Sequence, residues 1–124
     1  RVIYSGSALP NTNIPGLIGG FSGERVLRAP CGGTFTAAHR IGDLVEKGEI
    51  VGFVDGTPMR CTISGVLRGV LDDGVRVSAG MKSGDVDPRG RKEYCSSVSD
   101  KALAVGGGVV EAVLYLNARG RKRR

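Results

Sequence analysis

The side chains best able to do nucleophilic or metal chemistry in this 124-residue chain are Cys31, Cys61, Cys95 and the single histidine, His39. The cysteines are odd in number and widely spaced, with no C-x-x-C pair. That pattern indicates neither a disulfide framework nor a zinc site, and it fits a reducing compartment. His39 has no ligand partners at metal-binding spacing, so it is read as an ordinary surface or core histidine, and no metal site is assigned. Cys95 differs from the other thiols because Arg89, Arg91 and Lys92 precede it within six residues, offset in part by Glu93. Cations stabilise a thiolate, which makes Cys95 the one catalytic candidate. The competing reading is a buried, inert thiol.

Candidate binding groups lie elsewhere. SGSALPNTNIPGLIGGFSGER, residues 5–25, is rich in Gly, Ser, Pro and Asn and has little periodicity. Either it is a connector, or Asn11, Thr12, Gly19 and Gly20 offer amides and hydroxyls to an anion or a partner. In GDVDPRGRKEYC, residues 84–95, Asp87-Pro88 starts a turn, Gly90 can take positive φ, and Asp87 and Arg89 are binding candidates. Gly106-Gly107-Gly108 interrupts a helical pattern at about 1 kcal/mol per glycine relative to alanine. This implies close packing of a helix on a sheet, or else a break that binds an anion; no G-K-[ST] follows, so it is not a P-loop.

The elements that must position these groups follow from a repeat. At an offset of 32, the segment 28–55 matches 60–87 at Arg28/Arg60, Gly33/Gly65, Gly42/Gly74, Val45/Val77, Gly48/Gly80, Gly52/Gly84, Val54/Val86 and Asp55/Asp87. Glycines mark positive φ or close backbone approach, so the two halves turn at the same places. Each half reads as short strands between glycine turns and is too small to bury its own faces, so the halves must share a core. With 21 glycines and six aromatic residues, the expected product is a mainly β, pseudo-twofold sandwich or flattened barrel forming one compact unit. In this alignment Cys31 matches Ile63, a core position, and Cys61 falls in a strand opposite Ala29. A strand is expected at RVIY. SSVSDKALAVGGGVVEAVLYLNARG reads as a helix capped by Ser99 or Asp100 and stopped by Gly120. The expected organisation is 1–25 strand and loop, 26–88 repeat, 89–118 turn and helix, and 119–124 basic tail.

The formal charge of +6 resides mostly in Arg119, Arg121, Lys122, Arg123 and Arg124. The body is therefore almost neutral, and with no aromatic platform beside the solvated tail a nucleic-acid role is disfavoured. No apolar run is read as approaching the roughly 18 residues of a membrane span, so a soluble, cytoplasmic protein without a membrane partner is expected. A chain that starts at Arg1 with no leader reads as a fragment or a processed product.

Two resemblances add to this reading. A-P-x-x-G-x-F followed by G-D-L-V-E-K-G-E resembles the barrel-sandwich hybrid of biotinyl and lipoyl domains. There the modified lysine sits on the hairpin joining the halves, here DGTPM at 55–59, which has no lysine. Covalent biotin or lipoate is therefore not expected, and a diverged carrier without its attachment point is one alternative. SGSALPNTNIPG, GG-F-x-x-E-R-V-L-R-A-P, IGDLVEKGE, SGVLRG, GDVDPRG and EYC-x-x-x-SDKA-x-A-x-GGG-V-x-E-A-V-L together resemble the selenium-dependent molybdenum hydroxylase system proteins, over nearly the whole chain to Leu116. That resemblance implies an accessory role in maturation or cofactor handling, through association with selenium or the molybdenum cofactor. The implied partners are a molybdenum hydroxylase or its maturation factors, and the implied action is that of a non-enzymatic binding platform. It supplies no catalytic residue set, and the alternative it leaves open is a sulfur- or selenium-transfer factor in which Cys95 is the reactive group.

Overall fold

A computed structural model describes residues 2–10 and 14–121. The chain is mainly β, with two four-stranded antiparallel sheets and one C-terminal helix. Eight strands succeed one another: β1 (Val26–Arg28), β2 (Gly33–Ala37), β3 (Leu44–Val45), β4 (Ile50–Val54), β5 (Thr57–Arg60), β6 (Gly65–Val70), β7 (Arg76–Val77) and β8 (Lys82–Asp87). The first sheet has the order β1-β8-β6-β3 and the second β5-β4-β2-β7.

The offset of 32 residues organises this topology. It carries β3 onto β7 with identical bounds, β4 onto all of β8 but its last residue, β2 onto most of β6, and β1 onto residues within β5. Exchanging the halves in this way turns the strand order of one sheet into that of the other. The repeated glycines explain why. Gly42/Gly74 and Gly48/Gly80 all have φ between +78° and +97°, in turns where nothing crowds the α-carbon. Gly33/Gly65 and Gly52/Gly84 instead sit where a side chain would strike the neighbouring strand: a Cβ on Gly52 would lie 2.6 Å from the Phe35 ring, and one on Gly84 2.8 Å from the Gly69 carbonyl oxygen. Half of the repeated glycines thus turn the chain, and half let strands approach.

The core lies on the inward-facing strand positions. Phe35, Val51, Val54, Leu67 and Val86 are fully buried, with Leu27, Val45, Met59, Cys61, Ile63 and Val77 around them. Cys31 packs half-buried at the edge of this cluster, and Cys61 follows β5 directly, buried like its repeat partner Ala29. The halves are joined by a two-residue hairpin, Asp55-Gly56, with φ of 45° and 83°. Positive φ at both positions matches the twist of the flanking strands, so β5 begins at once with Thr57 opposite Val54. The joining hairpin expected at DGTPM thus consists of the Asp55-Gly56 turn and the start of β5.

By their contacts the residues divide into two compact units, Asn13–Ser96 and Arg1–Thr12 with Ser97–Arg124, rather than the single unit expected. The second unit is built on α1 (Asp100–Arg121). As expected, Ser99 caps this helix, its Oγ accepting the Ala102 N–H at 3.2 Å. Gly120 does not stop the helix, which continues to Arg121. Val2–Tyr4 forms no strand and lies along α1 instead. The Tyr4 hydroxyl donates to Glu111 Oε1 at 2.5 Å, its ring centroid is 4.5 Å from that of Tyr115, and a Cβ on Gly108 would meet Val2 at 3.7 Å. The remaining apolar side chains of α1, including Leu103, Val109, Val110, Val113 and Leu114, are exposed. Within Lys92–Gly120 a window of 18 residues reaches mean hydropathy 1.2, long and apolar enough to cross a membrane by length and composition only. The expectation that no stretch approaches that length is corrected accordingly. Three glycines and Glu111 lower the average without breaking the helix.

Candidate functional site

Strand β8 carries the sequence D-V-D at 85–87. Period-two alternation sends Val86 into the core, so Asp85 and Asp87 share the opposite face. On the same face of the first sheet lie Val26, paired with Asp85, and Val66, paired with Asp87. Both valines are buried outside the core cluster, so this face is covered. Its cover comes from the loop leading to the 3₁₀ turn Gly23–Arg25, which packs on β8, and from a second 3₁₀ turn, Lys92–Cys95, which packs on β6.

Carboxylates beneath such a cover need paired cations. Asp87, wholly buried, accepts hydrogen bonds from the Arg89 backbone N–H at 3.0 Å, from Arg89 Nε at 2.9 Å and from Arg89 Nη2 at 2.6 Å. The Arg89 guanidinium holds the Asp87 carboxyl below the ordinary aspartate value, against the opposing effect of burial. Arg68 approaches the same carboxylate oxygen at 3.9 Å, too far for a hydrogen bond. Asp85 is paired at 3.2 Å with Arg25, which is 5% exposed and also donates to the Gly16 carbonyl oxygen at 3.0 Å. Among the described residues, Arg25 Nε is the one buried side-chain polar atom without a partner. The Arg89 and Arg91 guanidinium carbons lie 3.9 and 5.5 Å from the centroid of the Tyr94 ring.

Several sequence candidates meet here. Gly19-Gly20 is the tip of a tight turn closed by two backbone bonds between Ile18 and Phe21, and a Cβ on Gly19 would lie 3.1 Å from Pro88. Gly42 N–H bonds the Leu67 carbonyl oxygen at 2.8 Å, and the Leu67 N–H bonds the Asp43 carbonyl oxygen at 2.8 Å. Cys95 Sγ points to that same Leu67 carbonyl oxygen at 3.8 Å. The motifs ending in GGF, IGD, SGVLRG, GDVDPRG and KEYC thus converge on one patch of the first sheet.

Other candidates are placed differently. Asn11 and Thr12 lie outside the described residues, as does the end of the basic tail, residues 122–124. Gly106, Gly107 and Gly108 form neither a break nor an anion-binding turn: α1 runs through them, so their amides serve the helix, and Cβ atoms on Gly106 and Gly107 would meet nothing. Of the three cations expected to activate Cys95, Arg89 is engaged by Asp87 and Tyr94, and Arg91 by Tyr94. Cys95 is half-buried, and among the described residues its Sγ contact is the Leu67 carbonyl. Burial, assisted by Glu49, pushes the Cys61 thiol up to about 11. His39 sits between two carboxylates, Nδ1 3.5 Å from Asp43 and Nε2 3.2 Å from Glu49. Among the described residues no three His, Cys, Asp or Glu side chains are grouped to hold a metal ion. An open groove of about 660 Å³ is lined by Leu44, Val45, Glu46, Lys47, Glu49, Ser64 and Gly65 and contains none of the sequence candidates.

Reading the sequence alone missed Arg25, Arg68, Asp85 and Tyr94. The D-V-D alternation was a signal for Asp85, since it places two acids on one face of a strand, but it did not say which arginines meet them.

No known family profile matches the chain. It is 44% identical, over 122 residues and 98% of its own length, to a protein of Escherichia coli K12 described as Uncharacterized protein YqeB, and it spans 23% of that protein's length. Among solved structures, an aspartoacylase family protein from Mesorhizobium loti matches 51% of this chain and 22% of its own at 18% identity, with a TM-score of 0.46. A likeness at that level does not define a shared fold.

Proposed function

We propose that this chain is a binding platform of an accessory factor that matures selenium-dependent molybdenum hydroxylases in the cytoplasm, and that it is not itself an enzyme. The observation that carries this reading is the convergence of the motifs behind the family resemblance. Segments far apart in sequence, from GGF to KEYC, assemble one charged patch on a sheet held in place by close-packed glycines. Such a patch suits recognition, because its charges are preorganised. On the same reading the β body is a barrel-sandwich hybrid that has lost the carrier role. The exchange of sheet orders under the 32-residue offset supports this, as does a joining hairpin reduced to Asp55-Gly56 without a lysine. Its clients are the hydroxylase or another maturation factor, approached through association with selenium or the molybdenum cofactor and not through a covalent group.

Deleting the gene in a cell that makes a selenium-dependent molybdenum hydroxylase tests the proposal. Selenium content and activity of that enzyme should fall while molybdenum enzymes lacking selenium keep theirs. Unchanged selenium content and activity in the deletion strain would overturn it.

A further inference from the structure

The patch around Asp87 has more positive charge than its carboxylates use. Arg25 and Asp85 balance one another, and Arg89 alone satisfies both oxygens of Asp87. That leaves Arg68 and Arg91 without a carboxylate of their own, while Lys92 acts on Asp43. The Arg68 side chain is 22% exposed, yet among the described residues it makes no hydrogen bond, only the 3.9 Å approach to Asp87. Its fork of donors is unspent, and none of its nitrogens is among the buried polar atoms, so it is open to an anion arriving from solvent. Arg91, exposed, donates to the Tyr94 hydroxyl at a long 3.4 Å, which leaves the Tyr94 O–H proton available. Arg89 links the two, touching Asp87 on one side and the Tyr94 ring on the other, with Nη1 uncommitted.

We infer that Arg68, Arg89 and Arg91, with the Tyr94 hydroxyl, form a binding site for a dianionic tetrahedral oxyanion of the phosphate type. Arginine forks match such oxygens in geometry, and a charge of minus two matches the two guanidinium groups that have no carboxylate of their own. Asp87 then acts as a positioning residue: it holds Arg89 against the tyrosine and limits the site to one anion. The anion is either free phosphate or the terminal group of a small phosphate ester. This inference does not rest on the identity of any client protein, so its failure would leave the proposed function standing.

Calorimetric titration of the purified chain in 150 mM KCl, with inorganic phosphate and separately with AMP, tests it. Saturable one-to-one binding is expected; equal affinities would point to the free anion, and AMP tighter by tenfold or more to an ester. Arg68→Gln should weaken binding about tenfold or more, and Arg91→Gln several-fold, as loss of charge-assisted hydrogen bonds implies. Arg76→Gln, on β7 of the other sheet, should bind like the unaltered chain. Absence of binding by either ligand, wild-type affinity in a folded Arg68→Gln, or an equal loss in Arg76→Gln would overturn the site. If Arg68→Gln does not fold, the exposed Arg91→Gln decides alone, and wild-type affinity there refutes the site.

Discussion

Replacing Asp87 by asparagine tests how the charged face is held together. The carboxylate is fully buried and receives three hydrogen bonds from Arg89, two of them in a bidentate fork at 2.6 and 2.9 Å. Asparagine keeps one acceptor oxygen but turns an amide NH₂ toward a guanidinium, so at least one charge-assisted bond is lost and a donor faces a donor. Breaking a buried pair typically costs about 3–5 kcal/mol. Arg89 is 38% exposed and can regain water, which lowers the expectation to about 2–3 kcal/mol. For a unit of this size that corresponds to a fall in Tm of about 10–20 °C. The pH dependence identifies the cause. Because Arg89 depresses the folded-state pKa of Asp87, its contribution is fully present above the unfolded value of about 4 and is lost as pH falls through the folded value. Urea unfolding followed by circular dichroism at pH 7 and at successively lower pH should show a gap between wild type and Asp87→Asn that closes on acidification. A gap below about 0.5 kcal/mol at pH 7, or one of constant size at every pH, would refute the electrostatic account.

Gly65→Ala would push a methyl group into the backbone of Asp87 and should cost about 1–3 kcal/mol in the same assay, whereas Gly106→Ala and Gly107→Ala, facing open space in α1, should each raise helix stability by up to about 1 kcal/mol. Alkylation of the native chain at pH 7 should be slowest at Cys61 and should accelerate as pH approaches about 11, read by mass spectrometry of labelled peptides. Intact mass after expression in a host with active biotin and lipoate ligases should show no added prosthetic group, since residues 55–59 contain no lysine.

The internal symmetry and the glycine turns were legible in the sequence because they are local: an αL turn or a strand crossing demands glycine wherever it occurs, and recurrence at 32 residues repeats the demand. The capped helix was legible for the same reason, as Ser99 and the run from Asp100 act within one turn. The charges of residues 89–92 near Cys95 were equally visible, but which groups they face is decided by the fold around the 3₁₀ turn. There, Tyr94 and the buried Asp87 compete for the arginines, and Cys95 is left beside the Leu67 carbonyl. Arg25 and Arg68 acquired meaning only in three dimensions, since their carboxylates lie 60 and 19 residues away along the chain and become neighbours through the pairing of β1, β8 and β6. Composition and periodicity decide which residues turn, alternate or coil; which charges share a buried face depends on sheet order, and that is a property of the assembled strands.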